Sequence, residues 1–353
     1  MDSQEIAQDL YNNVIHQTSS YGGFYGVLTG PPGTGKTTLM QQLVGDLRFW
    51  DAKSGKYFPH TVIWRGRPLD YWSRWHPAIK TADGFEREVR IHTSPRDLIR
   101  FIWDNNMPFP AVSDVCATPK YRQNLYFFNT MEELYSNLTV SGINVVYEPS
   151  DYKFGPGIIS LLEKKAIKKM SDLHKQAAPQ LFWYELLYFL YYRRKLLHPI
   201  AVFMDEADEV FPHAASGAQY HLLDHFRQSL RDIRKNNMSM FLSVHSWDDL
   251  YYAVRNKTQV RFWLPGSVLP RRGTAIKSNG PVILPRGWVF IDSTFWGKMQ
   301  FAPPPRFHKV RAIRIDKQLL KDWGIRDEAT APPVSDVQQT GVPEPARISV
   351  PQA

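Results

Sequence analysis

Apolar residues follow two kinds of pattern along this chain. Near-continuous apolar runs, typical of parallel strands buried on both faces, occur at Phe24–Thr29, Thr61–Trp64, Pro199–Met204 and Met238–Val244. The residues at 88–92 and 142–147 predict further strands. Apolar residues spaced three and four apart predict helices after the first run and over 222–235. The alternation predicts an α/β fold, with a mainly parallel central sheet flanked by helices.

A glycine-rich segment lies between the first predicted strand and its helix. It reads Gly30-Pro-Pro-Gly-Thr-Gly-Lys36-Thr37 and matches G-x-x-x-x-G-K-[ST] in the strand–turn–helix context that makes the pattern credible. Backbone N–H groups of such a loop converge on phosphate oxygens, helped by the positive end of the helix. Lys36 is predicted to reach the β and γ phosphates of ATP, and the Thr37 hydroxyl to ligate Mg²⁺. The predicted ATP-binding residues are Gly30, Pro31, Pro32, Gly33, Thr34, Gly35, Lys36, Thr37 and Thr38.

Two carboxylates follow the third apolar run. Asp205 is predicted to hold the Mg²⁺ shell, and Glu206 to orient and deprotonate the attacking water. Together with the loop they predict a Mg²⁺-dependent nucleotide hydrolase. The letters Asp205-Glu206-Ala207-Asp208 also suggest a DEAD-box helicase, but neither a second helicase core nor the later arginine motifs of that family are present in the sequence.

The run at 238–244 ends at His245. Ligands of open α/β sheets bind at the carboxyl ends of strands, so His245 is expected beside the loop and the acidic pair. There it could report the state of the γ-phosphate by hydrogen bonding. Alternatively, it only caps the strand.

Four segments resemble the HerA/FtsK superfamily of DNA-pumping ATPases. Arg234–His245 resembles its arginine–turn–strand segment, although the family usually has glutamine where this chain has His245. Asp205-Glu-Ala with Val210-Phe-Pro212 resembles the zonula-occludens-toxin-like phage branch. Two further segments, Arg255 with Arg261–Leu264 and Leu284–Asp292, are similar to the strands that follow in that family.

The resemblance implies a RecA-like P-loop NTPase that works as a hexameric ring. Such proteins hydrolyse ATP between subunits while they move double-stranded DNA, for example when packaging a viral genome or moving a plasmid. By its match, Arg234 would be the arginine supplied to the neighbour's nucleotide, with Arg255 and Arg261 as other candidates. Arg234 could equally be a solvated basic residue at a helix end.

Other functions fit part of the pattern. The loop sequence Gly-Pro-Pro-Gly-Thr-Gly-Lys-Thr is the one favoured by AAA+ ATPases that remodel or assemble proteins. In those, however, the acidic strand follows the loop much sooner, and the sequence predicts no C-terminal helical lid. A nucleotide-binding assembly component remains a third interpretation. A small-molecule kinase is disfavoured, since such kinases seldom need the acidic pair.

Composition supports a polyanionic partner. The chain carries 43 basic and 34 acidic residues, a net charge of +9. The lone cysteine, Cys116, fits a reducing compartment, and no signal peptide is recognisable. The apolar stretch 181–192 is too short to cross a bilayer. We therefore expect a protein of the host cytoplasm, or one associated with a virion, without a membrane span.

The predicted organisation has three parts. A helical arm, 1–22, could lie over a neighbouring subunit. The ATPase domain, 23–325, contains an insert at about 100–195, and its lysine-rich helix at 158–195 could line a DNA pore or only present a solvated face. Arginines and aromatic residues between 65 and 75 could contact nucleic acid, though packing against the sheet, with the arginines pointing outward, is favoured. The proline-rich tail, 326–353, is predicted to be disordered and could dock on a capsid or assembly partner.

Overall fold

The predicted apolar runs form the strands of a large sheet. The strands are β1 His16–Thr18, β2 Tyr25–Thr29, β3 Arg48–Asp51, β4 Lys56–Pro59, β5 Thr61–Gly66, β6 Ala78–Lys80, β7 Glu86–Thr93, β8 Ile99–Trp103, β9 Leu125–Phe127, β10 Ile143–Tyr147, β11 Ile200–Met204, β12 Met238–Val244, β13 Val260–Trp263, β14 Trp288–Asp292, β15 Trp296–Gln300 and β16 Val310–Arg314. The helices are α1 Ser3–Ile15, α2 Lys36–Asp46, α3 Met131–Ser136, α4 Met170–Tyr192 and α5 Tyr252–Lys257. Described residues between 219 and 235 are helical as well.

The computed structural model describes most of the chain up to residue 314. The described residues are 2–18, 22–67, 78–80, 86–94, 97, 99–103, 125–150, 152, 170–192, 199–215, 219–220, 222–224, 226–227, 230, 235–270, 274, 280–302 and 310–314. They belong to one unit, Met1–Arg314. The predicted tail at 326–353 lies outside them, as do residues 71–75 and Cys116.

Strand order explains how distant sequence segments meet. The largest sheet among the described residues has the order β15-β14-β13-β2-β12-β11-β5-β10-β7-β6, and β9 pairs with β7. From β13 to β7 every neighbouring pair is parallel, and β14, β15 and β6 are antiparallel to their neighbours. Strand β12 therefore lies between the strand before the loop and the strand before the acidic pair. This is the RecA-like P-loop NTPase fold that the sequence predicts.

Each inner strand has both faces buried. On β11, Val202 and Met204 belong to a core that includes residues of α4 and of 222–230. Phe203 belongs to a second core on the other face, which includes residues of α1 and α2. This alternation follows from the two-residue period of a strand, and it explains why the run at 199–204 contains no polar residue. Strand β10 is part of this sheet although it falls inside the range predicted as an insert.

Helix α1 packs on its own chain. Ala7 and Tyr11 are buried, and the Tyr11 hydroxyl donates to Asp46 Oδ2 at the end of α2, at 2.7 Å. Gly297 on β15 lets the helix approach closely, because a Cβ there would lie 2.2 Å from the Ser3 carbonyl oxygen. The predicted N-terminal helix is therefore present, and its apolar face is buried against its own sheet.

Candidate nucleotide-hydrolysis site

The glycine-rich loop follows β2 and leads directly into α2. Gly33 and Gly35 have φ angles of 78° and 103°, a region that side chains rarely adopt. At Gly35 a Cβ would also lie 3.0 Å from the ring of Phe301. Pro31, Pro32 and Gly33 are exposed, with open space around the α-carbon of Gly33. The loop thus has the backbone angles and the clearance that a phosphate cradle requires.

Lys36, by contrast, is buried. Its Nζ donates to the carbonyl oxygen of Gly30 at 2.7 Å and contacts Nδ1 of His245 at 3.3 Å. Because an ammonium group only donates, Nδ1 is the accepting nitrogen in this contact. Burial lowers the pKa of Lys36, and the charges of Asp205 and Glu206 oppose that shift.

The loop and the acidic pair are in direct contact. Thr37 Oγ1 donates to Asp205 Oδ2 at 2.6 Å, so the hydroxyl and the carboxylate predicted to share a metal ion lie together. Ser243, a fully buried residue of β12, donates to the other oxygen, Asp205 Oδ1. The structure therefore brings Lys36, Thr37, Asp205 and His245 to one edge of the sheet, where the sequence predicts them.

Glu206 lies in a strained turn. Its φ and ψ are 49° and 54°, the left-handed region, which costs a residue with a side chain roughly 1–2 kcal/mol. Its backbone N–H donates to Asp205 Oδ1 at 3.1 Å, and its carboxylate forms an ion pair with Arg67. Arg67 also pairs with Glu209 at 2.8 Å. A residue from the end of β5 thus contacts the predicted general base.

The side chains at the loop fit a magnesium ion and a nucleoside triphosphate. Mg²⁺ prefers oxygen ligands and is usually held by one or two carboxylates together with substrate phosphates and water. Asp205 and Thr37 offer such oxygens at the mouth of the loop, and the buried ammonium of Lys36 lies behind them. The residues present are therefore sufficient for a Mg²⁺–ATP complex.

The arginine candidates have different surroundings. Arg234, predicted to serve the neighbouring subunit, lies outside the described residues. Arg255 pairs with Asp248 of its own chain. Arg261 pairs with Asp292 at 3.2 Å and lies over the ring of Trp247.

Arg65 corrects one expectation from the sequence. It is 1% exposed and forms ion pairs with Glu148 and Glu209 at 2.8 and 2.7 Å, so it does not point outward from the sheet. Residues 71–75 of the same arginine–aromatic stretch are not described. The first arginine of that stretch is therefore bonded to the acidic turn, residues 205–209, and is not available to nucleic acid.

Sequence reasoning missed three contributors to this site: Ser243, Arg65 and Arg67. Ser243 left a weak signal, since it is a polar residue in an otherwise apolar buried strand next to His245. The two arginines left none, because their partners lie in distant segments and become neighbours only through the strand order.

Helix α4 covers part of the region predicted to line a pore. It is described from Met170 to Tyr192, and residues 181–187 of it are buried in the core. The lysines between 164 and 169 lie outside the described residues. Over the part of the chain that is described, no helix combines the length and the apolar character needed to cross a membrane.

Comparisons with known proteins find similar solved structures but no matching family. No family model matches the chain, and no curated protein matches it. One similar solved structure is the N-terminal domain of zonular occludens toxin from Neisseria meningitidis, with 12% identity over 85% of this chain and 98% of that chain, at a TM-score of 0.29. Another is the genome packaging NTPase B204 of Sulfolobus turreted icosahedral virus 2 in complex with ATP-gammaS, with 12% identity over 80% and 98%, at a TM-score of 0.35. The functional assignment therefore rests on the geometry of the loop and the acidic turn in this chain.

Proposed function

We propose that this chain is an ATP-hydrolysing motor of the HerA/FtsK superfamily that translocates double-stranded DNA as a ring oligomer. The cargo would be a viral genome during packaging, or a plasmid. The observation that carries the proposal is the hydrogen bond from Thr37 to Asp205, which joins the phosphate loop to the acidic strand in a RecA-like sheet. The four segments that resemble the superfamily and the net charge of +9 support the DNA substrate.

Each residue of the site has a distinct role in this proposal. The loop amides and Lys36 bind the phosphates, and Thr37 and Asp205 hold Mg²⁺, which when bound neutralises charge that develops on the phosphate oxygens. Glu206 orients a water molecule and takes its proton. His245, which contacts Lys36, would hydrogen-bond differently before and after hydrolysis.

In a ring, one of the three arginine candidates would act on the nucleotide of the neighbouring subunit. ATP between two subunits needs a cation from the neighbour to stabilise charge in the transition state. Arg234 remains our candidate by its match to the superfamily, whereas Arg255 and Arg261 each pair with an aspartate of their own chain. Six subunits, action in the host cytoplasm or within a virion, and docking of the tail on a capsid belong to the same proposal.

The decisive experiment measures ATP turnover with and without double-stranded DNA over a range of salt concentrations. Oligomeric state is measured in parallel by light scattering. Contacts to phosphates weaken steeply as salt rises, so we expect DNA to stimulate turnover at low salt and the stimulation to fade as salt increases. In the presence of ATP the protein should form a ring.

Matched variants separate chemistry from binding. Glu206→Gln should bind ATP but neither hydrolyse it nor move DNA, whereas Asp9→Asn, which removes one exposed carboxylate on α1, should behave as the unmodified protein. A stable monomer whose ATP turnover is unchanged by DNA at low salt would refute the proposal that the chain is a translocase. Stimulation by protein partners alone would favour the remodelling or assembly ATPase.

A further inference from the structure

A buried arginine lies directly beneath the acidic turn. The guanidinium group of Arg65 donates to both carboxylate oxygens of Glu148, at 3.0 and 2.8 Å, and to Glu209 Oε2 at 2.7 Å. It also donates to the backbone carbonyl oxygens of Asp205 and Glu206, at 3.3 and 3.1 Å. A guanidinium has five N–H donors, so these hydrogen bonds use its whole donor set.

Two of these bonds hold the backbone of the predicted catalytic pair. The turn places Glu206 at a φ of 49°, which the local chain disfavours. The carbonyl groups on both sides of the Glu206 N–Cα–C unit are fixed by the same guanidinium. The direction in which the Glu206 side chain leaves the backbone depends on this conformation, and its carboxylate in addition pairs with Arg67.

The partners of Arg65 are fixed in turn by helix α4. Trp183 Nε1 donates to Glu148 Oε2, and Gln180 Nε2 donates to the Glu209 carbonyl oxygen at 2.7 Å. Trp183 is fully buried. Arg65 and its partners therefore connect the ends of β5, β10 and β11 with helix α4.

The positive charge of Arg65 is balanced by the carboxylates of Glu148 and Glu209. Burial acts to lower the pKa of Arg65, but the charges of Glu148 and Glu209 outweigh it and raise the pKa above its ordinary value. Arg65 thus remains a cation paired with two carboxylates. A neutral or shorter side chain would leave buried acceptors without a donor, which is unfavourable.

We propose that Arg65 is a positioning residue for ATP hydrolysis, which sets the left-handed turn that aims the Glu206 carboxylate. This inference rests on the proposed function, because it assumes that Glu206 activates water. Arg65 acts through Glu206 and does not touch the nucleotide. Its loss should therefore lower kcat and leave ATP affinity unchanged.

The chain offers a matched control for a merely structural role. Arg87 is equally buried, at 1% exposure, and donates to the backbone carbonyl oxygens of Ser141 at 3.0 Å, Val44 at 2.8 Å, Gly142 at 3.3 Å and His60. Residues 60 and 142 immediately precede β5 and β10, so Arg87 joins strands at the edge of the sheet opposite the site. Replacing either arginine removes a buried network, but only one of the networks reaches Glu206.

The experiment compares Arg65→Lys with Arg87→Lys in the full chain. Lysine keeps the charge but has three donors in place of five. Denaturant unfolding, binding of a non-hydrolysable ATP analogue and kcat of the folded protein are measured for each. Both variants should lose stability. Arg65→Lys should lose about 100-fold in kcat, the effect of a small misplacement of a catalytic group, with analogue affinity unchanged, while Arg87→Lys should keep its kcat.

Equal losses of kcat in the two variants would overturn the inference, as would a parallel loss of analogue affinity in Arg65→Lys. If Arg65→Lys does not fold, Trp183→Phe removes one hydrogen bond from Glu148 and keeps an aromatic ring in the core. It should lower kcat without changing affinity, and an unchanged kcat would overturn the inference. Glu206→Gln separates the two proposals: if it is inactive while Arg65→Lys is normal, only the inference fails. If it hydrolyses ATP normally, the role given to Glu206 fails and the inference fails with it, whereas an unmodified chain that hydrolyses no ATP would refute the proposed function itself.

Discussion

Ser243→Ala tests the proposed Mg²⁺ site most directly. The hydroxyl of Ser243 donates to Asp205 Oδ1, and that of Thr37 donates to Asp205 Oδ2 at 2.6 Å. Ser243 is fully buried, so its hydroxyl is fixed in the strand and orients the carboxylate. Alanine fits the same space and removes only the donor.

The size of the effect follows from the kind of bond that is lost. A hydrogen bond to a charged group contributes about 1.5–3 kcal/mol, and 1.4 kcal/mol corresponds to a tenfold change in an equilibrium constant. Loss of a residue that orients a metal ligand typically lowers metal affinity by about 10- to 100-fold. We therefore expect the Mg²⁺ concentration for half-maximal turnover to rise by about 10- to 100-fold. Turnover at saturating Mg²⁺ should change little, because Thr37 and the Glu206 N–H still hold Asp205.

The assay is a Mg²⁺ titration of ATP turnover at fixed ATP. Ser239→Ala is the matched control, because Ser239 is fully buried on the same strand and its hydroxyl bonds to Gln17 and to the Phe24 N–H. Both variants lose a buried hydroxyl, and only one of these hydroxyls faces Asp205. If the half-maximal Mg²⁺ concentrations of the two variants agree within about twofold, well below the change expected for a ligand-orienting residue, the role given to Ser243 is wrong.

Three further predictions concern the same fold. Arg67→Gln should raise turnover, because it frees the Glu206 carboxylate from an ion pair and leaves it available to a water molecule; steady-state kinetics checks this, and lower turnover would contradict it. Burial lowers the pKa of His92 to about 4, so the folded chain resists protonation while the unfolded chain binds a proton near pH 6.5. The free energy of unfolding should therefore fall as the pH drops from about 6.5 to 4, by about 3 kcal/mol, and chemical denaturation of His92→Gln should lack this part of the loss. Gly35→Ala should abolish ATP-analogue binding in calorimetry, because φ at that residue is 103° and the ring of Phe301 blocks a Cβ; a variant that is folded and binds normally would show that the loop tolerates a side chain.

The sequence was sufficient for the elements that carry strong local patterns. The loop at 30–37 lies between a strand and a helix as predicted, and the runs that end at Asp205 and His245 are parallel inner strands. Local patterns work here because an inner strand must be apolar on both faces. They also identify the residues that directly follow each strand, which is where the site lies.

The network around Arg65 could not be predicted in the same way. An arginine is rarely buried unless it is paired, so Arg65, followed closely by Arg67, indicated an exposed basic segment. Its partners Glu148 and Glu209 come from distant segments and approach only because β5 lies between β10 and β11. The packing of helix α1 on its own sheet could not be predicted for a related reason, since nothing local marks Gly297 as the point that admits the helix.

The strand order also shows how the loop and the acidic pair, which are far apart in the sequence, come together in the fold. Strands β2 and β11 are separated by β12 alone, so their ends lie about two strand spacings apart, or roughly 10 Å. Thr37, in the first turn of α2, spans that gap to Asp205, and Ser243 and His245 at the end of β12 necessarily lie within it. The chain between the loop and the acidic pair forms β5, β10 and β7, which lie on the far side of β11 and leave this gap unchanged. It also places Arg65 and Glu148 against the flank of the acidic turn. These strands therefore approach Glu206 from the side opposite the nucleotide loop, and we expect substitutions there, such as Arg65→Lys, to alter hydrolysis without altering ATP binding.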